Sequence, residues 1–187
     1  SSGQPRVFVL AAGSPKTIIA YDLAAHSVLW KVDADVQSRL CELSLTALPD
    51  NSLLAAFTSM RDAGTSCLAR QAARRIDLAR RPVSGTTWVS VAGGDVAADA
   101  DGLLGIGLVG GHIAFVQYRY NARGLPSALS LTVIDESGGR SSDALPPGAC
   151  SVAAGSAWFA PTGDTVVLAG GGGETSPACF AAWRRGS

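Results

Sequence analysis

Three segments of the chain share one pattern: a strand-like run closing on an aspartate, a short turn, and a second run. They are IIAYDLAAHSVLW (18–30), RRIDLARRPVSGTTW (74–88) and LTVIDESGGRSSDAL (131–145). Asp22, Asp77 and Asp135 stand 55 and 58 residues apart, and Trp30 and Trp88 stand 58 apart. A fixed period of this size marks a repeat architecture, and it constrains the fold more than any local propensity does. Between these anchors lie three further stretches, each made of an apolar run, a turn and a second run. CELSLTALPDNSLLAAFTS turns at Pro49-Asp50-Asn51, GLLGIGLVGGHIAFVQYRY at Gly110-Gly111, and CSVAAGSAWFAPTGDTVVLAGG at Pro161-Thr162-Gly163-Asp164. These turn residues tolerate positive φ and join neighbouring antiparallel strands.

A repeat of this length, built from hairpins, predicts an all-β, propeller-like fold of about four blades, each an antiparallel four-stranded sheet. The repeats run approximately over 7–39, 40–95, 96–147 and 148–187. They offer three, four, three or four, and three strands. Four blades is about the smallest propeller known to close. Either a compact ring forms, or another segment or chain completes a larger propeller. The segment CLARQAARRIDLARR (67–81) has helix-like spacing and good helix formers, yet its place in the repeat predicts strand.

The cysteines follow the same register. Cys41 precedes the first hairpin and Cys67 follows it; Cys150 and Cys179 do the same around the third, and the middle repeat has neither. Presence and absence in pairs predicts bonds within repeats, Cys41–Cys67 and Cys150–Cys179, and an oxidising, extracytoplasmic compartment (secreted, periplasmic or cell-surface). Four unrelated buried thiols remain the alternative, because sequence measures no distance. No C-x-x-C or clustered histidine suggests zinc.

The chain has 187 residues, 47% apolar and 16% charged, with 15 basic and 15 acidic side chains. That is enough for a sizeable core, and the balanced charge points to neither nucleic acid nor an anionic membrane as partner. No apolar run approaches the roughly 18–20 residues of a membrane span. A start at Ser1 without an initiator Met is what removal of a leader produces, or a fragment.

Ala20, Asp22 and Trp30 resemble the blade motif A-x-D-x-x-T-G-x-x-x-W of the quinoprotein-type, or PQQ-like, propeller repeats. Ala25-His26 replaces the usual Thr-Gly turn. The second copy keeps Asp77 and Trp88 around Ser84-Gly85, and the third keeps Asp135 with Gly138-Gly139 but has no Trp. The resemblance implies that the Trp is a wedge between blades and that the Asp orders the hairpin. The family's enzymes have about eight blades and hold cofactor and metal in a central funnel; it also includes non-enzymatic scaffolds of bacterial outer-membrane assembly.

The candidate chemistry is sparse. LAAGSPKT (10–17) has one glycine, a proline and a β-branched run after it, so it reads as a hairpin connection and not a phosphate loop. Asp95, Asp99 and Asp101-Gly102 resemble part of a calcium loop, but lack its remaining oxygen ligands. His26 and His112 are the only histidines, each at a turn, and no nucleophile–base set can be drawn. The arginines Arg70, Arg74, Arg75, Arg80 and Arg81 read as a solvated face. FVQYRYNARGLP (115–126) offers an interaction surface of Tyr118, Arg119, Tyr120 and Arg123, the composition of contact hot spots, against the alternative that Tyr118 and Tyr120 pack into a neighbouring blade. The expectation is therefore a non-catalytic scaffold or protein-binding module in an extracytoplasmic multi-protein assembly, without cofactor or metal, whose partners are other protein subunits. The alternatives are a fragment or subunit of a quinoprotein-like oxidoreductase, and a glycan- or small-ligand-binding propeller.

Overall fold

A computed structural model of the chain describes residues 6–11, 17–33, 40–50, 52–60, 74–82, 87–98, 102–120, 122, 126–145, 156–160, 163–170 and 179–184. Every regular element among them is a β-strand, and within each sheet the strands pair antiparallel with their neighbours in sequence. The chain divides into two compact units, residues 1–38 and 39–187.

The first unit is a three-stranded sheet of β1 (Arg6–Ala11), β2 (Thr17–Asp22) and β3 (Ser27–Asp33). β1 and β2 pair from Arg6↔Asp22 to Ala11↔Thr17, so the GSPK segment joins two neighbouring strands; residues 12–16 themselves lie outside the described residues. β2 and β3 are joined by the turn 23–26, where His26 has φ +49°. His26 is a non-glycine residue in a conformation that favours glycine. A side chain in left-handed backbone costs about 1–2 kcal/mol, against about 0.5–1 kcal/mol that glycine loses in chain entropy. His26→Gly is therefore expected to raise stability by about 0.5–1 kcal/mol in a denaturant melt, and His26→Ala to give no gain.

The second unit holds three sheets in succession. β4 (Leu40–Ala47), β5 (Leu53–Met60), β6 (Arg74–Arg81) and β7 (Val89–Ala98) form the first. β8 (Gly102–Val109), β9 (His112–Tyr120), β10 (Pro126–Ile134) and β11 (Arg140–Ala144) form the second. β12 (Ser156–Phe159), β13 (Thr165–Gly170) and β14 (Cys179–Arg184) form the third. The segment with helical spacing is strand β6 from Arg74 onward; residues 67–73 lie outside the described residues.

The middle sheet is covered on both faces, and strand alternation sorts its side chains between two cores. Phe115, Ile106 and Ile134 pack with Leu54, Ala56, Ile76 and Leu78 of the first sheet. Val109, Ala114, Val116, Leu131 and Val133 pack with Ala157, Val166 and Leu168 of the third. This explains why β8 and β9 read as nearly unbroken apolar runs: neither face of their inner stretches meets water. A bulge at Leu104 puts two successive residues on one side, so Leu104 joins the second core and Gly105 follows it against β12.

β8, the first strand of the middle sheet, lies against β4 and β12, the first strands of its neighbours. β11, the outer strand of the same sheet, is short, polar and exposed throughout. Such a strand blunts a sheet edge against further pairing. The third sheet is different. Its inner face is buried, while its other face shows Trp158 at 54% and Phe180 at 76% exposure.

The predicted hairpin turns are present at the tips. Leu48 N–H donates to the Ser52 carbonyl at 2.8 Å across Pro49-Asp50. Gly110 and Gly111 have φ of +59° and +81°, as a two-residue hairpin turn of this twist requires. The Gly110 N–H also donates to the Gly163 carbonyl, tying the tips of the second and third sheets together.

Candidate functional site

The tips at this end of the second unit carry the polar chemistry. Asp50, in the β4–β5 turn, accepts from the Ser52 hydroxyl at 2.6 Å and from the Ser52 N–H at 3.1 Å. Arg80, near the end of β6, pairs with Asp50 and donates through Nε to the Ser52 hydroxyl at 2.9 Å. The three side chains tie the first hairpin to the third strand of its sheet. The third sheet repeats the device. Asp164 of its β12–β13 turn accepts from Arg184, near the end of its third strand, at 2.8 and 2.6 Å, and from Thr165 Oγ1 at 2.9 Å.

The middle sheet lacks this clasp, as it lacks the cysteines. The matching turn is Gly110-Gly111, and the third strand ends at Ile134 and is followed by Asp135-Glu136. Asp135 instead orders its own turn. It accepts from the Ser137 hydroxyl at 2.6 Å, the Gly139 N–H at 2.8 Å and the Ser137 N–H at 2.9 Å. These bonds order the β10–β11 hairpin. Asp77 differs, lying within β6 opposite Phe57 and Asp95.

The Ser137 hydroxyl bond chiefly holds Asp135 below the usual carboxylate range, followed by the Gly139 and Ser137 amides and the charge of His112. The Ser52 hydroxyl bond does the same for Asp50, with its amide and Arg80 adding to it. A carboxylate with a lowered folded-state pKa stabilises the fold above its unfolded pKa, and that contribution is lost as pH falls through the folded value. Wild type is thus expected to exceed Asp135→Asn in urea midpoint near pH 6. The gap should close as pH falls below about 4, toward protonation of both states. A gap independent of pH would contradict this assignment.

Between the first and middle sheets these tips enclose a cleft of about 400 Å³. Its walls are Leu48, Val91, Leu108, Ile113 and Ile134; its polar lining is Asp50, Arg80, His112, Asp135 and Glu136. A cavity of about 280 Å³ adjoins it through Leu48, Pro49 and Leu108 and reaches Phe159 of the third sheet. Another of about 420 Å³ adjoins it through Asp50, Arg80, Val91 and Ile113 and reaches Val89, which is 56% exposed. Together they form a trough across the tips of three sheets. Mostly apolar walls with a few convergent polar groups suit binding.

Tyr118 and Tyr120 stand near the other end of β9. Their rings meet edge to face, with centroids 5.2 Å apart and planes at 79°, and their hydroxyls lie 3.4 Å apart. Both are half-buried; Arg119, on the opposite side of the strand, is exposed, and Arg123 lies outside the described residues. Gln117, between the two ends, donates through Nε2 to Ser130 Oγ at 3.0 Å and to Thr132 Oγ1 at 3.5 Å. Arg81 is buried rather than solvated, at 7% exposure, and burial lowers its pKa.

The remaining sequence candidates fall on different elements. His26 lies in the first unit, while His112 opens β9 and lines the cleft. Asp95 is in β7, and Asp99 and Asp101 lie outside the described residues. No three His, Cys, Asp or Glu side chains gather as metal ligands among the described residues. Cys41 is the extra residue of a bulge at the start of β4, half-buried and not a free thiol. Cys179 opens β14, and Cys67 and Cys150 lie outside the described residues. The cleft was not visible as a motif, because its polar residues come from two turns and two strand ends. What signals it is that each adjoins a predicted hairpin tip.

No known family model matches this sequence, and no curated protein matches it.

Proposed function

We propose that this protein is a non-catalytic binding or scaffolding module of propeller-like build, one component of a larger extracytoplasmic protein assembly. The observation that carries this reading is the side-by-side packing of β4, β8 and β12. In a propeller the first strands of successive blades gather near the axis, and the sheets stack face to face around it. The stacked cores and the exposed outermost strand β11 are consistent with that arrangement. The resemblance of the repeat to quinoprotein-type blades adds to it.

The proposed disulfides fit the same repeat. Cys41 stands where the chain enters the first strand of its sheet, and Cys67 follows β5 in the connection to β6. Cys150 precedes β12, and Cys179 begins the third strand after β13. The matching places of the two pairs in the sequence of their repeats are what support this pairing. Peptide mapping without reductant is expected to find Cys41–Cys67 and Cys150–Cys179 linked; cross-pairing between the sheets would refute the repeat assignment.

The functional reading is tested by tagging the protein in its own host, cross-linking, and isolating the extracytoplasmic fraction. The expected result is a stoichiometric complex with other proteins. A monomer carrying quinone absorbance and calcium would instead establish the oxidoreductase reading. The cleft also favours a small-ligand reading, for which a co-purifying glycan or metabolite in a monomer would be decisive.

A further inference from the structure

The trough has an unbalanced rim. In the first and third sheets the turn aspartate is matched by an arginine at the end of the third strand: Asp50 with Arg80, and Asp164 with Arg184. The middle sheet offers Asp135 and Glu136 at the corresponding strand end. Neither has an ion pair to lysine or arginine among the described residues. Both line the central cavity, beside apolar walls that continue on either side toward Phe159 and Val89. Carboxylates next to apolar surface match a chain whose apolar side chains can enter the cavities while cationic heads stay at the wet rim. Three adjoining cavities in succession suit an extended backbone better than a single compact ligand, since alternate side chains of a strand point to one side.

We propose that this trough seats an extended segment of a partner protein in which apolar residues alternate with arginine or lysine. The inference rests on the binding-module reading and names the chemistry of what binds. Apolar side chains enter the cavities beside Leu48, Leu108 and Val91. Cationic side chains meet Asp135 and Glu136. Asp50 stays with Arg80 and acts as a wall.

The test is fluorescence anisotropy with a labelled synthetic peptide of alternating leucine and arginine, and a second in which glutamate replaces arginine. The arginine peptide is expected to bind at least about tenfold tighter, with the preference shrinking as salt rises. Glu136→Lys should weaken it by about fivefold, the effect of exchanging an exposed attraction for a repulsion. Asp143→Lys makes the same charge change on exposed β11, away from the trough, and should leave binding nearly unchanged. Equal binding of the two peptides overturns the proposal. So does an equal effect of the two lysine substitutions, which would reduce the preference to overall charge. The two readings fail separately. If Glu136→Lys is without effect while the complex still assembles in the host, the trough is wrong and the module stands. If the peptides discriminate as expected but no complex exists, the module reading is wrong and the trough stands.

Discussion

Phe115→Ala is expected to destabilise the second unit by about 3–5 kcal/mol, the largest effect of any single truncation considered for this protein. Phe115 is fully buried in β9 and packs with residues of two sheets: Leu54, Ala56, Ile76 and Leu78 on one side, Ile106 and Ile134 on its own. Removing the ring withdraws its apolar area from the core and leaves a cavity. The strand backbones around it are pinned by their ladders on both sides, so the space cannot close. In a chain of this length each kcal/mol moves the melting temperature by roughly 2–4 °C, so a fall of about 10 °C or more should be seen. Phe115→Leu keeps most of the volume and should cost less than about 1.5 kcal/mol. A loss below about 1 kcal/mol for the alanine variant would mean that the two sheets do not share this core.

Gly105→Ala should cost about 3 kcal/mol, from one added methyl group and by the opposite mechanism. A β-carbon at Gly105 would stand 2.2 Å from the carbonyl oxygen of Ala157 and 3.2 Å from its Cβ. The obstacle is the backbone of β12, which cannot rotate away, so β8 and β12 must separate and open the second core. Gly110 makes the useful comparison. A β-carbon there meets nothing within 4 Å, but its φ is +59°, so Gly110→Ala should cost only the strain of left-handed backbone, about 1–2 kcal/mol. A denaturant series on the two variants separates these causes. If they cost the same, the close approach of the first strands is not what Gly105 provides.

The sequence carried the all-β character and the order of the hairpins. Turn chemistry is local: Gly110-Gly111 sets its own dihedrals, Asp50 and Asp135 bond amides two and four residues on, and alternation follows from the period of the strand. The 55–58-residue spacing likewise placed successive sheets, and it overrode the helical spacing of 67–81 where β6 forms. The turn at 23–26 was legible as a turn, but not that His26 takes up left-handed backbone there.

The tertiary structure decided everything that depends on which faces meet. Nothing in GLLGIGLV distinguishes a glycine needed for close packing from one that is merely tolerated; the carbonyl of Ala157, 52 residues away, makes that difference at Gly105. Arg81 looked like a surface cation and is buried, beside Leu53 on the face of β6 opposite to Ile76 and Leu78. The trough was not legible for the same reason. Asp50, Arg80, His112, Asp135 and Glu136 belong to separate hairpins, and only the stacking of sheets brings their tips together. The sequence by itself determined strands, turns and their repetition, since these rest on interactions within a few residues. The structure decided the cores, the close approach at β8 and the shape of the candidate site, since these arise where distant segments exclude water from one another.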